Sequence, residues 1–252
     1  MADNQLTQLF LAGRVRHGLR AAELDTLDRA VSEVRSLVHG EEVVRRGQRM
    51  ETSTYLVSGF MIRSVTDSEG GRQILGLHIP GDFVDLHAFP LKRLDHDVSA
   101  VGDVRIAQVS HRALRAIIEQ HPHLTRILWY STLLDAAMHR EWIFRLGRLD
   151  ALGRVCHFLC ETEMRLRFVE MSDGVTFPMP LSQREIAEVC GITSVHMSRT
   201  MAALRQLDLV AFDGGAVTIL NYQGLADLGE FDGDYLYGRH GGLFDDDYED
   251  RM

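Results

Sequence analysis

Cysteine, proline and tryptophan are scarce in this sequence, and long runs of apolar residues are missing. Its 252 residues include only 3 cysteines, 5 prolines and 2 tryptophans. Three cysteines cannot all pair, so a disulfide-stapled fold is not expected. No apolar stretch reaches the roughly 20 residues of a membrane span, and none at the N-terminus fits a signal peptide. We therefore expect a soluble cytoplasmic protein with no membrane partner.

The few cysteines also give no pattern for a metal or cluster site. Cys156 and Cys160 lie four residues apart within an apolar helical pattern, and Cys190 lies in another helical segment. This spacing matches no standard zinc or iron–sulfur motif. The simpler interpretation, that they are small buried apolar side chains, is preferred, and no metal site is predicted.

Positive charge is in short supply as well, with a formal net charge of −9. Much of the imbalance lies in the segment from Glu230 to Met252, which holds eight acids and two arginines. A strongly acidic protein is an unfavourable partner for nucleic acid. The rest of the chain is nearly neutral, however, and a local basic patch there is enough to bind DNA.

The stretch from Leu181 to Leu207 has the pattern of a helix-turn-helix. Ser182 and Glu185 stand in capping-box spacing at the start of a first helix, and Gly191 supplies the turn. Thr193 then caps a second helix, whose apolar residues face inward at Met197, Met201 and Leu204. The exposed N-terminal part of that helix is where a recognition helix contacts bases, and it holds Ser194, Val195, His196, Ser198 and Arg199. An ordinary pair of packed helices is the alternative.

The first half of the chain has a different pattern. Residues Ala21–Leu37 carry apolar side chains at helical spacing and predict an amphipathic helix. Short runs rich in Val, Ile, Leu and Phe follow at roughly ten-residue intervals, separated by glycine-containing turns, which predicts an antiparallel barrel or jelly roll. The predicted strands are Glu42–Val44, Thr54–Val57, Met61–Val65, Gln73–Ile79, Phe83–Leu86, Asp97–Val101 and Arg105–Val109.

Helical patterns return after this region. His111–Gln120 predicts one helix, and Leu124–Arg148 predicts a second that is long for a globular protein. Its apolar residues cover more than one face, so it is expected to pack on its own barrel and on the same helix of a partner; a helix buried within one chain is the alternative. The candidate interface residues are Ile127, Tyr130, Leu134, Ala137, Met138 and Phe144.

The C-terminal part continues with a hinge and a wing. Gly147 and Gly153 bracket the predicted hinge, and a helix is predicted over Leu152–Phe168. A short strand is predicted at Thr176–Leu181, before the helix-turn-helix. After the helix-turn-helix, two strands, Leu209–Phe212 and Ala216–Leu220, flank a turn and predict a β-hairpin, in the position of a wing.

The predicted order of β-roll, long helix, hinge helix and winged helix-turn-helix resembles the Crp/Fnr family of bacterial transcription regulators over residues 20–228. The matching pieces are YLVSGFMIR (Tyr55–Arg63), GGRQILGLHIPGDFVDL (Gly70–Leu86) and LSQREIAEVCGITSVHMSRTMAALRQLDLV (Leu181–Val210). The resemblance implies a homodimer joined along the long helix, a two-fold symmetric double-stranded DNA operator, and contact with RNA polymerase.

The effector region departs from the family pattern. In members that bind cyclic nucleotides, PGDF is followed by a Gly-Glu pair, and an Arg-Ser or Arg-Thr pair follows later. Here Asp85 and Leu86 occupy the first pair, and Leu94 and Asp95 the second. Because an arginine neutralises the cyclic phosphate, we expect no cyclic AMP binding of that kind. Lys92 and Arg93 leave open another anion site.

The sequence also gives little support for the other cofactors of the family, an iron–sulfur cluster and haem. Oxygen-sensing members carry a cysteine cluster near the N-terminus, but this chain has no cysteine before Cys156, so that cluster is excluded. Haem ligands would have to come from isolated histidines, which are more often surface or satisfied residues; the candidates are His78, His87, His96 and His111. No cofactor is predicted, and an unknown small-molecule effector remains open.

The resemblance assigns roles in reading DNA. Arg199 matches the family arginine that contacts guanine, and Ser198 is also matched. Two residues after the capping Thr193, where the family usually has a glutamate, this chain has Val195, whose side chain suits contact with a thymine methyl. His196 suits contact with a base or a phosphate. At the start of the first helix, Ser182, Gln183 and Arg184 suit phosphate contacts.

The sequence therefore predicts an α+β protein with an antiparallel β-roll, a long dimerisation helix and a C-terminal winged helix-turn-helix. The predicted divisions are a β-roll domain with flanking helices over 1–123, a dimerisation helix and hinge over 124–150, a winged helix-turn-helix over 151–228, and an acidic tail over 229–252. The predicted function is a DNA-binding regulator, with a small-ligand sensor on the same fold as the alternative. Because no hydrolase, phosphate-loop or metalloprotease motif occurs, an enzyme is not expected. The tail is expected to be mobile at least in part, and to dock on a partner or compete with DNA.

Overall fold

The computed structural model describes residues 6–238 as a β-roll, a long central helix and a winged helix-turn-helix. The helices are α1 (Ala21–Ala30), α2 (Ala88–Leu91), α3 (His111–Gln120), α4 (Pro122–Arg148), α5 (Ala151–Phe168), α6 (Gln183–Cys190), α7 (Ser194–Gln206) and α8 (Tyr222–Leu228). The strands are β1 (Val31–Leu37), β2 (Glu42–Val44), β3 (Thr52–Thr66), β4 (Arg72–His78), β5 (Asp97–Ser110), β6 (Thr176–Pro178), β7 (Val210–Asp213) and β8 (Ala216–Ile219). The predicted α+β architecture is confirmed.

The roll is a five-stranded antiparallel sheet that curls around its own apolar side chains. Its strands run in the order β1-β5-β3-β4, with β2 also paired to β5. Val44, Leu56, Met61, Val98 and Ile106 fill the inside and are fully buried. Alternating apolar residues therefore face one core, as the sequence pattern predicted.

Two pairs of predicted strands are single long strands in the structure. The glycines interpreted as turns, Gly59 and Gly102, lie inside β3 and β5 with φ of +85° and +72°. The β3–β5 register shifts on both sides of Ser58, so Gly59 lies at a bulge. A side chain at Gly59 would collide with the carbonyl of Asp103. Bulges bend and twist long strands without ending them, which explains why the sequence suggested turns there.

Two further predictions in this region were wrong. The helix expected over Ala21–Leu37 ends at Ala30, and Val31–Leu37 pairs with β5 as strand β1. β-branched valines at 31 and 34 favour the strand once a partner is available. Phe83–Leu86 forms no named strand and makes only an isolated bridge between Tyr55 and Phe83, because the next backbone groups turn into α2.

The winged domain and the roll share one core. Phe60, Ile74 and Leu77 from the roll belong to the same apolar cluster as Phe158 of α5 and Val189 of α6. Gly153, in the first turn of α5, lies so close to the carbonyl of Leu228 that a Cβ there would be 2.9 Å from its oxygen. Where a hinge was predicted, α4 ends at Arg148 and α5 begins at Ala151, so only two residues separate the helices. No helix in the described range 6–238 is long and apolar enough to cross a membrane.

The first part of the predicted tail is packed against the protein. Residues 229–238 follow α8 and include a 3-10 turn at Gly233–Leu236, where Leu236 is fully buried. Tyr237 stacks edge-on against Tyr130 of α4. These ten residues are not a free tail. The remaining acidic residues of the prediction, 239–252, lie outside the described residues.

Candidate nucleic-acid interface

The helix-turn-helix is shaped by its caps. The Ser182 hydroxyl accepts a hydrogen bond from Glu185 N, and the Glu185 carboxylate accepts one from Ser182 N, which completes a capping box. Gly191 closes α6 with φ of +59°. The Thr193 hydroxyl then accepts from His196 N and starts α7. Each cap satisfies backbone amides that a helix start leaves unpaired, so the two helices begin where the sequence predicted.

The inward face of α7 is apolar, and its outward face is polar. Met197, Met201 and Leu204 are at most 1% exposed. Thr200 is also buried, and its hydroxyl donates to the carbonyl of His196. The side chains predicted to contact DNA all lie on the exposed side: Thr193, Ser194, Val195, His196, Ser198 and Arg199 on α7 and its cap, with Ser182, Gln183 and Arg184 at the start of α6. We call these nine residues the reading surface.

Within the reading surface, two features stand out. Val195, in the first turn of α7, is 66% exposed. Arg184 is paired through Nε with Glu188 Oε1 at 3.1 Å on the solvent side. The Ser182 hydroxyl is already used in the capping box, where it also donates to Glu185 Oε2. Its role is therefore to hold the start of α6 in place beside Gln183 and Arg184.

The wing is the hairpin of β7 and β8. Val210 pairs with Ile219 and Asp213 pairs with Ala216, and the tip between them is formed by Gly214 and Gly215. Both glycines have positive φ, +55° and +81°, which a two-residue hairpin turn of this kind requires. The tip carries the acid Asp213 and no base, and the exposed arginines nearest in sequence are Arg199 and Arg205 of α7.

Helix α6 is attached to the roll by a polar contact at the edge of β4. Arg72 Nε lies 2.7 Å from Glu188 Oε2, and Arg72 Nη2 lies 3.4 Å from Glu185 Oε1. The Gln73 side-chain amide donates to the Glu188 carbonyl at 2.5 Å. This contact could not be predicted from the sequence, because its two sides are more than a hundred residues apart.

Beneath α6, Arg145 of α4 is completely buried. Its guanidinium lies 4.2 Å from the Trp142 ring centroid and 5.6 Å from that of Phe158. Nη2 donates to the Val189 carbonyl, while Nε and Nη1 have no partner among the described residues. A cation held by aromatic faces thus connects the long helix α4 to α6, the first helix of the helix-turn-helix.

A buried polar network joins α4, α5 and the segment after α8. Trp142 Nε1 donates to Glu161 at 2.9 Å, and the Tyr235 hydroxyl donates to Glu161 Oε2 at 2.8 Å. Arg165 lies 3.5 Å from Glu161 Oε1 and 2.8 Å from Asp82 Oδ2. His157 Nε2 lies 3.2 Å from the Tyr235 hydroxyl. We call Trp142, Glu161, Arg165, Asp82, Tyr235 and His157 the buried polar network; sequence reasoning missed all of its contacts.

Asp82 and Asp85 lie three residues apart in the roll, and their pKa values move in opposite directions. Burial alone would raise the pKa of Asp82, but the Arg165 charge and hydrogen bonds from His78 and Ile79 N outweigh it and lower that pKa to about 2. Burial raises the pKa of Asp85 to about 7, because its one backbone hydrogen bond, from Thr54 N, compensates only in part. Asp85 Oδ2 has no partner among the described residues.

Several polar side chains of the roll are paired within the chain. Arg63 is buried, and its Nη1 lies 3.0 Å from both Asp135 Oδ2 and His139 Nε2, while Nη2 donates to the Val84 carbonyl. Leu94 is buried and the Asp95 side chain is 94% exposed. Lys92 lies 3.5 Å from His111 Nδ1, and Arg93 donates to the Gly47 carbonyl, so each has a partner within the roll.

Two of the four histidines considered as haem ligands are neighbours. His87 and His96 lie side by side with ring centroids 5.3 Å apart. Burial lowers the pKa of His87 to about 4 and also lowers that of His96, so both rings are neutral at pH 7. His111 Nε2 lies 3.3 Å from the Ser53 hydroxyl. Within residues 6–238, no three His, Cys, Asp or Glu side chains are placed to hold a metal ion.

The predicted partner face of α4 needs correction. Ile127, Leu134 and Ala137 are at most 6% exposed and are covered by their own chain, so they cannot form a partner surface. Tyr130 and Met138 are half-buried. Of the six predicted residues only Phe144, 37% exposed, faces solvent. The exposed stripe instead runs along Trp129, Leu133, Arg140, Ile143 and Gly147, with the half-buried Ala136 between them.

Both halves of the chain match known domain families. Residues 153–228 match the Crp-like helix-turn-helix domain, and residues 34–121 match the cyclic nucleotide-binding domain. The chain is 30% identical over 209 residues to the transcriptional activator protein FnrL of Cereibacter sphaeroides, covering 79% of this chain and 83% of that protein. It is 28% identical to the nitrogen fixation regulation protein FixK of Bradyrhizobium diazoefficiens, covering 71% and 75%. The structure of FixK2 from Bradyrhizobium japonicum is similar with a TM-score of 0.71 at 25% identity, covering 78% of this chain and 96% of that one.

Proposed function

The chain belongs to the Crp/Fnr family of transcription regulators, and on this premise we propose that it acts as a homodimer that reads a two-fold symmetric DNA site through α7. It is a regulator with a helix-turn-helix domain and a cyclic nucleotide-binding-type domain, and its relatives are transcription regulators and not enzymes. The observation that carries the proposal is the reading surface, whose polar side chains are exposed on a helix that the caps and the apolar core hold in place.

The proposed contacts follow from the chemistry of the exposed groups. The Arg199 guanidinium suits a bidentate contact with guanine O6 and N7, worth about 1–3 kcal/mol of discrimination. Val195 offers an apolar surface to a thymine methyl, and His196 a ring nitrogen to a base or phosphate. Gln183 and Arg184, at the N-terminus of α6, suit phosphate contacts, which fix position but not sequence.

The exposed stripe of α4 supports the homodimer. Its residues Trp129, Leu133, Ala136, Arg140, Ile143 and Gly147 follow one another at spacings of four and three, the pattern of a coiled-coil seam. Trp129, Leu133 and Ile143 are 64%, 52% and 72% exposed, far more than a single chain needs to leave in water. Two copies packed along this stripe would place two α7 helices in successive major grooves, about 34 Å apart.

The experiment that tests DNA reading starts from sites selected out of random DNA by the wild-type protein. We expect Arg199→Ala to weaken binding to the selected site by tenfold to more than a hundredfold, roughly, because one base contact is lost in each half-site. Arg205→Ala is the matched control: Arg205 is an exposed arginine of the last turn of the same helix, away from the base-reading end. Unchanged specific binding by Arg199→Ala would overturn the assignment.

A second experiment tests the dimer. Leu133→Asp places a charge in the seam and should convert the protein to monomers in sedimentation, with loss of binding to the full site. Leu91→Asp, at an equally exposed leucine outside the seam, is the control and should leave the dimer intact. A dimer that survives Leu133→Asp would place the partner surface elsewhere.

The proposal includes an effector domain that lacks the cyclic AMP binding of the family's nucleotide-dependent members. The Arg63–Asp135–His139 cluster and the buried Leu94 support this, since Arg63 is already paired and Leu94 stands where the resemblance implies the phosphate-binding arginine. Contact with RNA polymerase and a cytoplasmic location go with a bacterial DNA-binding regulator and belong to the same proposal.

The alternative, a small-ligand sensor on this fold, is favoured by the match of residues 34–121 to the cyclic nucleotide-binding domain. Calorimetry with cyclic AMP, cyclic GMP and cyclic di-GMP separates the two. Heat of binding together with a rise in melting temperature would support a nucleotide sensor.

A further inference from the structure

The C-terminal end of α6 is held by side chains from three other parts of the fold. The last four carbonyls of a helix have no partner within that helix, and in α6 they belong to residues 187–190. The carbonyl of Ala187 accepts from the backbone amides of Gly191 and Ile192. The other three each accept a hydrogen bond from a side chain outside the helix-turn-helix; they are the carbonyls of Glu188, Val189 and Cys190.

Two of these side chains come from the roll and from the long helix. Gln73, the second residue of β4, donates through its side-chain amide to the Glu188 carbonyl at 2.5 Å, and this nitrogen lies 3.5 Å from the Val189 carbonyl. Arg145 of α4 donates through Nη2 to the same Val189 carbonyl, also at 3.5 Å. The roll and α4 therefore meet on adjacent carbonyls of one helix end.

The third side chain, Arg154 of α5, joins the ends of two helices. Its Nη1 donates to the Cys190 carbonyl at 3.2 Å, and its Nε donates at 2.8 Å to the carbonyl of Leu149, which caps the end of α4. A cation is favoured at a helix C-terminus, and here one guanidinium serves both α4 and α6. We call Gln73, Arg145 and Arg154 the anchor residues.

The anchor residues act next to the reading end of α7. Only residues 191–193 separate α6 from α7. A Cβ placed on Gly191 would lie 3.6 Å from Gln73 Oε1 and 3.8 Å from Arg154 Nη1, so two anchors adjoin the turn itself. The orientation of the first turn of α7 therefore follows from where the roll, α4 and α5 hold the end of α6.

We propose that the anchor residues are positioning residues that set the distance and angle between the two α7 helices, and so select the spacing of the two half-sites in DNA. This inference rests on the proposed function, in which α4 carries the dimer seam and α7 reads bases. The donors of the anchor residues are directed at carbonyls of α6. They therefore act through the backbone of α6 and not by contact with bases.

A fixed α6 makes the spacing of the half-sites matter. One added base pair moves a half-site by about 3.4 Å along the DNA and rotates it by about 34° around the axis. A dimer whose reading helices are held in one orientation must strain to follow that change, whereas a loosened α6 follows it at lower cost. Loss of an anchor should therefore relax the preference for spacing while the preference for bases remains.

The test measures the affinity of the full chain for DNA in which the selected half-sites are kept and the spacer between them varies by single base pairs. Gln73→Met and Arg154→Met remove the donors and leave long side chains. For each variant we expect the ratio of affinities, best spacer over spacers one base pair longer or shorter, to fall by roughly three- to tenfold, as fits the loss of one or two hydrogen bonds. The bases selected within each half-site should stay those of the wild type.

Matched controls are Gln120→Met and Arg115→Met, at exposed residues of α3, which should keep the wild-type ratio. Because Arg154→Met also loses the bond to Leu149, Gln73→Met keeps the test valid if the first variant is unstable.

Three results would overturn the inference. An unchanged ratio in Gln73→Met, or an equal loss of affinity at every spacer, would make the anchors supports of the fold alone. A change in the selected bases would make them base contacts. Arg199→Ala should lose affinity equally at every spacer, so failure of base reading and failure of the anchors are distinguishable.

Discussion

The reading surface and the buried polar network are both rich in polar side chains, but they are built in opposite ways. The reading surface comes from one stretch of 18 residues, Ser182 to Arg199, and its side chains remain in water. The network joins residues 74 and 83 positions apart and removes them from water. Polar groups of the first kind act on a partner, whereas those of the second kind act on the stability of their own chain. Substitutions should therefore separate binding from folding.

The largest effect is expected from Glu161→Ala in the buried network. Trp142, Tyr235 and Arg165 all lose their shared acceptor, and Arg165 loses one of its two carboxylates. Removing one member of a buried charge pair costs about 3–5 kcal/mol. Urea unfolding should show this loss, while Glu119→Ala on the exposed side of α3 should stay within about 0.5 kcal/mol. A loss below about 1 kcal/mol for Glu161→Ala would mean that water replaces the carboxylate.

Asp85→Asn should stabilise the protein above neutral pH. In the fold the pKa of Asp85 is raised to about 7 from an ordinary 3.8, so the folded state binds more protons than the unfolded state between these values. Stability from this group is full below pH 3.8 and is lost as the pH rises to about 7. A difference of one in pKa corresponds to about 1.4 kcal/mol, so at pH 8 the free energy of unfolding of the variant should exceed that of the wild type by at most about 4 kcal/mol. Unfolding at pH 8 and pH 4 checks it, and an equal difference at both pH values would contradict the cause.

Val195→Glu should change binding and leave stability alone. The new carboxylate resembles the glutamate usual in the family and can accept from a cytosine amino group, so base preference should shift at one position of each half-site by about 1–3 kcal/mol. Unfolding should change by less than about 0.5 kcal/mol, because Val195 is exposed. Val175→Glu, at an exposed valine before β6, is the control and should alter neither property. An unchanged selected sequence would remove Val195 from the set of base contacts.

The smallest change in stability is expected from Arg72→Ala at the edge of β4, where the roll contacts α6. The Arg72 side chain is 34% exposed and the side chains of its partners Glu185 and Glu188 are 12% and 14% exposed, so the pairs lie at the edge of the solvent. Such pairs contribute about 0.2–1 kcal/mol, and the loss should shrink at high salt because it is screened. Unfolding at low and high salt measures it. A loss that salt does not change would show that packing, and not charge, holds α6 there.

The sequence predicted what depends on neighbours along the chain. The capping box at Ser182, the turn at Gly191 and the cap at Thr193 each need only three or four residues, and all are found. Predictions failed where a distant segment decides the outcome. Pairing with β5 converts the end of a predicted helix, Val31–Leu37, into a strand.

The candidate partner face failed for a similar reason. Periodicity identified α4 as apolar on more than one side, but it could not tell which side the roll covers. Ile127 and Leu134 proved to be core, while Trp129 and Ile143 are exposed. The burial of Arg14 could not be predicted for the same reason, since its partner Leu236 is 222 positions away.

The bond between Arg14 and the Leu236 carbonyl ties together residues 222 positions apart. During synthesis the N-terminal segment leaves the ribosome long before Leu236 is made. Domains of growing chains fold as they emerge, so the roll and the long helix can form while Arg14 still lacks this partner. The Arg14 side chain can therefore reach its final hydrogen bond only after nearly all of the described chain has been translated.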